Sequence, residues 1–444
     1  MKTVFIAGAG RSSTTLIYHL LECSEGIGLR VIVGDASLEL AVSKCNNHPN
    51  SVAIEFDVNN SDLRSSLVSQ ADIVISLLPP DMHHLLVGEC LKHGKHFLSA
   101  SYVSDKVAAL TPAARAKGVV MISECGLDPG IDHMSAMEII HRLKSQGANL
   151  ISFKSYTGGL VAPESNDNPW GYKISWNPRN VILAGQGTAS YLWDGKYKHV
   201  PYSRIFTDIE TLEVDPIGRF DGYANRDSVS YLKIYELEGI SGLLRGTLRQ
   251  RGYCRAWNVF VTLGLTDDGV KIPGSGSMTY AELVESFIPM HIKGESLAHR
   301  VASLCGLPVD GEAMTLVAWT GIFDDIQIGI ENASPAQILQ KLLESKWTLN
   351  PHDKDMVVMV HEFVYELNGE TRKLSSSMVA KGEDSIHTAM AKTVGLPLAI
   401  TALKLIDGSI SLKGGLYLPV KKEIYEPVLR ELEKHGVIFQ EKIS

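Results

Sequence analysis

The chain has 444 residues, with 42 Lys and Arg against 50 Asp and Glu, a formal charge of −8 with His neutral. That balance excludes a general polyanion binder, so nucleic acid is not an expected partner. Hydrophobic residues at 45% and charged residues at 21% exclude a disordered chain and leave room for two or three domains of roughly 150 residues.

In chain order, Thr3 to Ala7 is apolar and β-branched, Gly8-Ala9-Gly10-Arg11-Ser12-Ser13 follows, and Thr14 to Leu21 has helical character. This is strand, turn, helix. In a dinucleotide fingerprint the first Gly allows the tight turn and the second lets the backbone approach the pyrophosphate. The helix N-terminus supplies N–H groups and a positive dipole end. Ser13 stands where a third Gly is usual and is small enough to keep helix and strand close. Gly8, Gly10, Arg11, Ser12 and Ser13 are therefore expected cofactor contacts. A second strand, Leu29 to Val33, ends in Gly34-Asp35. A carboxylate there accepts hydrogen bonds from the ribose hydroxyls and repels a 2′-phosphate, so NAD is the expected cofactor, with NADP the alternative. The competing reading is that Asp35 only starts a turn or caps the helix near Leu38.

The alternation continues with strands at Ser51 to Phe56, Ala71 to Leu78, His96 to Ser99 and Val119 to Ser123. Helices lie between them, from Ser61, at His83 to Lys92 and around Val107 to Ala116. Near-continuous apolar strands separated by helices predict an α/β fold with a Rossmann-type, doubly wound parallel sheet. Ligands bind beyond the carboxyl ends of such strands. Asp57, Ser76 to Pro80 with Leu77 and Leu78, Ala100-Ser101-Tyr102 and Gly126-Leu127-Asp128 are expected around one crevice. His83, His84, His93 and His96 lack carboxylates at metal-site spacing and read as structural or solvated.

After an amphipathic helix from Asp132 to Leu143, strands are expected at Leu150 to Tyr156, Ser230 to Tyr235, Arg255 to Leu263 and Met356 to Tyr365. They predict an antiparallel α+β substrate domain. A helical insertion interrupts it, with helices at Thr279 to Met290, Leu297 to Cys305, Ala313 to Gly321 and Pro335 to Leu343. The apolar stretch Ser385 to Leu405, then Leu416 to Val420 and Lys422 to His435, is expected to return to the first domain. The expected organisation is 1–130 Rossmann domain, 131–275 and 351–386 substrate domain, 276–350 insertion and 387–444 returning segment. The longest apolar runs, such as Ala71 to Pro80 and Gly395 to Ile406, fall short of the about 18 uninterrupted residues of a membrane span, so no membrane partner is expected.

Four segments, Ser99-Ala100-Ser101-Tyr102, Glu124-Cys125-Gly126-Leu127-Asp128-Pro129-Gly130-Ile131-Asp132-His133, Gly158-Gly159-Leu160 with Pro163-Glu164, and Lys173-Ile174-Ser175-Trp176, resemble the L-glutamate-forming saccharopine dehydrogenase (saccharopine reductase) family. The resemblance extends through Asn225-Arg226-Asp227-Ser228 and Leu244-Arg245-Gly246-Thr247-Leu248-Arg249 to the end of the chain. It implies oxidation of saccharopine with a nicotinamide cofactor, releasing glutamate and 2-aminoadipate 6-semialdehyde, or the reverse, in lysine metabolism. Asp128 and Tyr102 are the implied acid–base pair, and both are suited to it: a carboxylate in a closed crevice can titrate near working pH, and a phenol can donate to a developing carbinolamine. The hydride is expected to leave the glutamyl carbon. Val58 and Ser175 join the implied cofactor contacts. Ser101, Tyr102, Leu127, Thr157, Arg226, Arg245, Gly246 and Thr247 are the implied substrate contacts, the arginines as forks for carboxylates and Gly246 through backbone N–H groups. Thr157 stands where the family often has Cys.

Two rivals remain open: a dehydrogenase of a related carboxyalkyl-amine, of the carboxynorspermidine type, against which Arg226 and Arg245 argue, and a non-catalytic nucleotide-sensing protein. Six scattered cysteines, without a CxxC pair or zinc-ligand spacing, predict reduced thiols in a cytoplasmic protein and no metal. The expected partner is a small-molecule substrate, and a homodimer is left open.

Overall fold

Strands and helices alternate from the first residues of the computed structural model, which describes residues 1–444. The order is β1 (Lys2–Ala7), α1 (Thr14–Ile27), β2 (Leu29–Asp35), α2 (Leu38–Cys45), β3 (Ser51–Glu55), α3 (Ser61–Gln70), β4 (Ile73–Ser76), α4 (His83–His93), β5 (His96–Ser99), α5 (Asp105–Ala108), α6 (Thr111–Lys117), β6 (Val120–Ile122) and α7 (Ile131–Ser145). Then come β7 (Asn149–Val161), α8 (Pro178–Ile182), β8 (Ala189–Trp193), β9 (Lys196–Val200), α9 (Tyr202–Ile205), β10 (Ile209–Val214), β11 (Gly218–Ala224), α10 (Tyr231–Ile234), β12 (Gly242–Gln250) and α11 (Tyr253–Thr262). The last part holds α12 (Tyr280–Phe287), α13 (Leu297–Cys305), α14 (Glu312–Trp319), α15 (Pro335–Trp347), β13 (Asp355–Leu367), β14 (Glu370–Lys381), α16 (Ala389–Ile406), β15 (Gly415–Tyr417), α17 (Lys422–Lys434) and β16 (Phe439–Ile443). Two compact units result: Met1–Leu150 with Tyr365–Arg372 and Met378–Glu441, and Ile151–Val364 with Lys373–Ser377 and Lys442–Ser444.

The first unit carries a seven-stranded sheet in the order β15-β6-β5-β4-β1-β2-β3, parallel at every step. Val4, Phe5, Ile6, Val31, Ile32, Val33, Ile73, Val74 and Ile75 are at most 1% exposed. Helices therefore cover both faces, as near-continuous apolar strands require. The chain runs outward through β2 and β3, then resumes at β4 on the other side of β1, which makes the β1/β4 boundary the switch point where such sheets open a crevice. Ser37 and Asn60 start α2 and α3 by accepting the Leu40 and Leu63 N–H groups. Gly28 and Gly94 end α1 and α4 in left-handed backbone, where a residue without Cβ is unstrained.

Two features of this unit differ from the sequence expectation. Residues 131–150, expected in the substrate domain, belong to it, because α7 buries ten of its fifteen residues, including Asp132 and His133. In the last segments β15 adds a parallel strand beside β6, and α16 packs on α1 and α17. By length and composition α16 could cross a membrane, a property masked in the sequence by Lys392 and Lys404, yet most of it is buried inside the protein. Gly395 makes this possible, since a Cβ there would sit 2.6 Å from the backbone nitrogen of Leu16.

The second unit is built on a sheet with the path β10-β11-β12-β7-β13-β14-β16, extended by β8 on β12 and β9 on β8. It is mixed rather than antiparallel: β12 runs parallel to β7 and antiparallel to β11. Two expected strands are helical. Arg255 to Leu263 lies in α11, which buries Tyr253, Ala256, Trp257 and Phe260 at helical spacing, so the period of 3.6 overrides the β-prone composition. Ser230 to Tyr235 forms the short α10, whose first turn is held by the Asp227 carboxylate accepting from the Val229 and Ser230 N–H groups. The insertion helices α12 to α15 fall where expected, with capping boxes at Thr279–Glu282 and Ser334–Gln337.

Candidate active site

The glycine loop leaves the centre of the parallel sheet at β1. Gly8 has φ +109°, and a Cβ on it would press within 3.1 Å of the Leu77 carbonyl carbon. The loop can therefore lie flat against the end of β4 only with glycine there. Gly10 is exposed, and a Cβ there would meet nothing within 4 Å. Ser13 closes the turn, its N–H and hydroxyl both donating to the Gly10 carbonyl at 3.0 and 2.7 Å. An open glycine backbone at a helix start is the cradle a pyrophosphate needs, so these residues fit a dinucleotide. Asp35 ends β2, with one carboxylate oxygen accepting the Ala9 N–H (2.6 Å) and the other the Ser37 N–H (2.9 Å). It thus both starts the turn into α2 and holds the glycine loop. Asp57 is exposed and accepts the Asn59 N–H, while the neighbouring Val58 is buried. The only positive charge beside the loop from α2 is Lys44, which donates to the Thr14 hydroxyl at 2.5 Å.

Gly8, Asp35, Leu77, Leu78, Ala100, Ser101, Tyr102, Gly126, Leu127 and Asp128 all lie at or beyond the carboxyl ends of parallel strands, so the sheet brings them to one edge. Tyr102 and Asp128 meet there: the phenol donates to Asp128 Oδ1 at 3.4 Å, and both side chains are half-buried. The loop bearing Asp128 is compact because Gly126 and Gly130 fold onto each other, with Gly126 N–H donating to the Pro129 carbonyl. A Cβ on Gly130, at φ +149°, would overlap the Gly126 backbone. Sequence reasoning missed the three ionisable groups behind this loop. Glu124, Asp132 and His133 are 4%, 1% and 0% exposed, and the only sequence signal was their place within and beside GLDPGIDH.

In the second unit, Arg245, Thr247 and Arg249 alternate onto one face of β12. The register places Ser155 and Thr157 of β7 beside Arg245 and Thr247, and Tyr223 of β11 on the other side of Thr247. The Arg245 guanidinium lies 4.2 Å from the Tyr231 ring centre. That of Arg249 lies among Tyr172, Tyr253 and Tyr223 at 5.4, 5.5 and 6.0 Å, a cation stabilised by ring faces. Burial pushes these three phenols up in pKa, so they stand neutral around the charge. The Thr157 hydroxyl is buried without a hydrogen-bond partner, a polar group available to a ligand. Arg226 is exposed on the loop after β11, at φ +49°. Ser175, expected at the cofactor, is buried in this unit between β7 and α8. Gly246 corrects an expectation: it pairs with Ala224 and Tyr156 in neighbouring strands, so its backbone belongs to the sheet ladder. What its missing side chain allows is the approach of the Tyr156 ring, which a Cβ would strike.

The family model for the "Saccharopine dehydrogenase NADP binding domain" matches residues 4–122, and that for the "Saccharopine dehydrogenase C-terminal domain" matches residues 126–437. The chain is 34% identical over 99% of its length to the mitochondrial alpha-aminoadipic semialdehyde synthase of Rattus norvegicus, covering 47% of that protein; it spans about half the length of such relatives. It is 31% identical to the saccharopine dehydrogenase [NADP(+), L-glutamate-forming] of Pyricularia oryzae, covering 99% of it. The apo structure of saccharopine dehydrogenase (L-Glu forming) from Saccharomyces cerevisiae is similar over the full length of both chains, with TM-score 0.89 and 30% identity. A homospermidine synthase from Legionella pneumophila shares the fold alone, with TM-score 0.57 and 10% identity. The family models, the fungal relative and the residues at the sheet edge agree: the chain belongs to the saccharopine dehydrogenase family.

Proposed function

We propose that the protein oxidises saccharopine with a nicotinamide dinucleotide and hydrolyses the resulting imine to glutamate and 2-aminoadipate 6-semialdehyde, or runs the reverse. The observation that carries this reading is the Tyr102–Asp128 contact at the carboxyl edge of the sheet that also bears the glycine loop. Atom balance corrects the expected hydride position. Glutamate leaves with its amine intact, so the carbon that loses hydride and becomes the aldehyde is the lysyl ε-carbon. Loss of hydride from the glutamyl carbon would yield a 2-oxo acid and lysine instead.

The bound dinucleotide supplies the hydride acceptor. The remaining work is proton transfer and binding, which fall to the chain. Asp128 takes the proton from the substrate's secondary ammonium, leaving a neutral amine. That proton passes to solvent, and after oxidation the Asp128 carboxylate takes a proton from the attacking water, while Tyr102 donates a hydrogen bond to the carbinolamine oxygen. The proton held by Asp128 then goes to the glutamate nitrogen, and the freed carboxylate takes the carbinolamine hydroxyl proton as the C–N bond breaks. Arg245 and the Thr157 and Thr247 hydroxyls bind carboxylate, and a buried cation there disfavours the polyamine end of a carboxynorspermidine-type substrate.

For the dinucleotide, the fungal relative's name and the family model specify NADP. Here β2 ends in Asp35-Ala36-Ser37, a carboxylate with no cation following it, and this supports NAD. All six cysteines are free thiols, which supports the cytoplasm as the compartment. The test is the initial rate of reduced-nicotinamide formation from saccharopine with NAD and NADP in parallel. Turnover with a higher kcat/KM for NAD is expected. Turnover preferring NADP overturns the cofactor assignment, and retention of dinucleotide without turnover moves the protein to the non-catalytic reading.

A further inference from the structure

The two loops that carry Tyr102 and Asp128 are each gripped on both sides by one buried acidic residue, through its backbone N–H on one side and its carboxylate on the other. Glu124 sits just past β6 at φ +58°, its N–H donating to the Ser101 carbonyl at 3.1 Å and its Oε1 accepting the Val103 N–H at 3.2 Å. It therefore bonds both neighbours of Tyr102. Asp132 does the same around Asp128: its N–H donates to the Leu127 carbonyl at 3.1 Å and its Oδ1 accepts the Gly130 N–H at 2.6 Å. Between these carboxylates lies His133, with Nε2 2.9 Å from Glu124 Oε2 and Nδ1 3.5 Å from Asp132 Oδ2.

Three ionisable groups in a space from which water is excluded are a costly arrangement unless each is paired. A Leu or Met in place of His133 would fill the volume without that cost. What the imidazole adds is a connection, since its two ring nitrogens each face one of the carboxylates and link them through one rigid plane. From this geometry we infer that Glu124, His133 and Asp132 form a positioning relay that sets the distance between the Tyr102 phenol and the Asp128 carboxylate. The inference rests on the acid–base roles given to that pair above. The relay touches no substrate; it acts through the backbone on either side of the two residues that do. Buried polar networks with every member bonded hold a single geometry, and proton transfer is sensitive to displacements well under an ångström.

The test compares unmutated protein with His133→Gln, which removes the bridge, and Glu124→Gln, which keeps an acceptor for Val103, offers His133 a neutral partner and folds with a smaller perturbation. Hydrogen exchange is followed in peptides spanning 99–104 and 126–134. In His133→Gln the amides of Val103 and Gly130 are expected to exchange at least tenfold faster, both together although they lie on different loops, while the peptide spanning 8–13 stays as protected as before. In either variant kcat falls at least threefold, dinucleotide Kd stays within twofold, and the loss largely disappears when combined with Tyr102→Phe. Loosening of one loop alone, a kcat loss that multiplies fully with that of Tyr102→Phe, or a loss shared by dinucleotide binding overturns the relay. If the unmutated protein fails to turn over saccharopine, the functional reading falls, and the exchange of the two amides still decides whether the loops are coupled.

Discussion

Replacing Asp35 separates two roles that the structure gives to one carboxylate. The first is mechanical: it accepts the Ala9 N–H at 2.6 Å and the Ser37 N–H at 2.9 Å. Hydrogen bonds to a charged group contribute about 1.5–3 kcal/mol each when buried. Asp35 is half-exposed and water replaces part of what is lost, so Asp35→Ala should cost about 1–2 kcal/mol. Asp35→Asn retains an amide oxygen for one of the two donors and should cost under about 1 kcal/mol. The second role is electrostatic. A 2′-phosphate carrying about −1.5 charge at ~5 Å from a carboxylate is repelled by about 1–2.5 kcal/mol for effective dielectric constants of roughly 40–80. Both variants should therefore move the ratio of kcat/KM for NADP over NAD upward by roughly tenfold to seventyfold. Initial rates with each dinucleotide give that ratio, and urea midpoints give the stability term. An unchanged ratio in both variants, or equal loss with the two dinucleotides, would show that Asp35 only anchors the loop.

Asp128→Asn should lower kcat by about 10²–10⁴-fold and Tyr102→Phe by a smaller factor, with dinucleotide Kd within about twofold in fluorescence titrations; an unchanged kcat removes that residue from proton transfer. Arg245→Lys keeps the charge but loses the planar fork, so KM for saccharopine should rise roughly tenfold to hundredfold with dinucleotide KM unchanged, and steady-state kinetics on the two substrates decide. His83, held by Ser76 Oγ at 2.8 Å from its Nδ1, is lowered by burial from 6.5 to about 4. The unfolded chain therefore takes up this proton first: the associated stability is present above about pH 6.5 and lost as pH falls toward 4, about 2.5 kcal/mol by pH 4.5. His83→Gln should remove that increment from the difference between urea midpoints at pH 7 and pH 4.5; an identical difference in both proteins would show that His83 is not the group responsible.

Much of the first unit could be read from local patterns. A short apolar strand followed by GxGxxS and a helix admits few folded outcomes, because the glycines and the helix start satisfy the backbone within a dozen residues. The apolar strands that follow, buried on both faces, can pair only in a parallel sheet covered by helices. Residues at the ends of those strands were therefore placed at one edge by topology alone, Tyr102 and Asp128 among them. Where the tertiary structure decided, the deciding contacts were distant in sequence. The segment 253–262 is rich in strand-forming residues, yet its helical spacing of aromatic side chains matches a hydrophobic surface that exists only once β12 and the insertion helices are in place. Gly246 offered backbone N–H groups to a carboxylate until the strands on either side of it were known; its backbone belongs to the sheet ladder, and its missing side chain leaves room for the ring of Tyr156. The burial of Glu124, His133 and Asp132 against one another was not legible either. Spacing along a chain shows which residues share an element, whereas a charge enclosed between two loops depends on how those loops fold back, which is a property of the packed molecule.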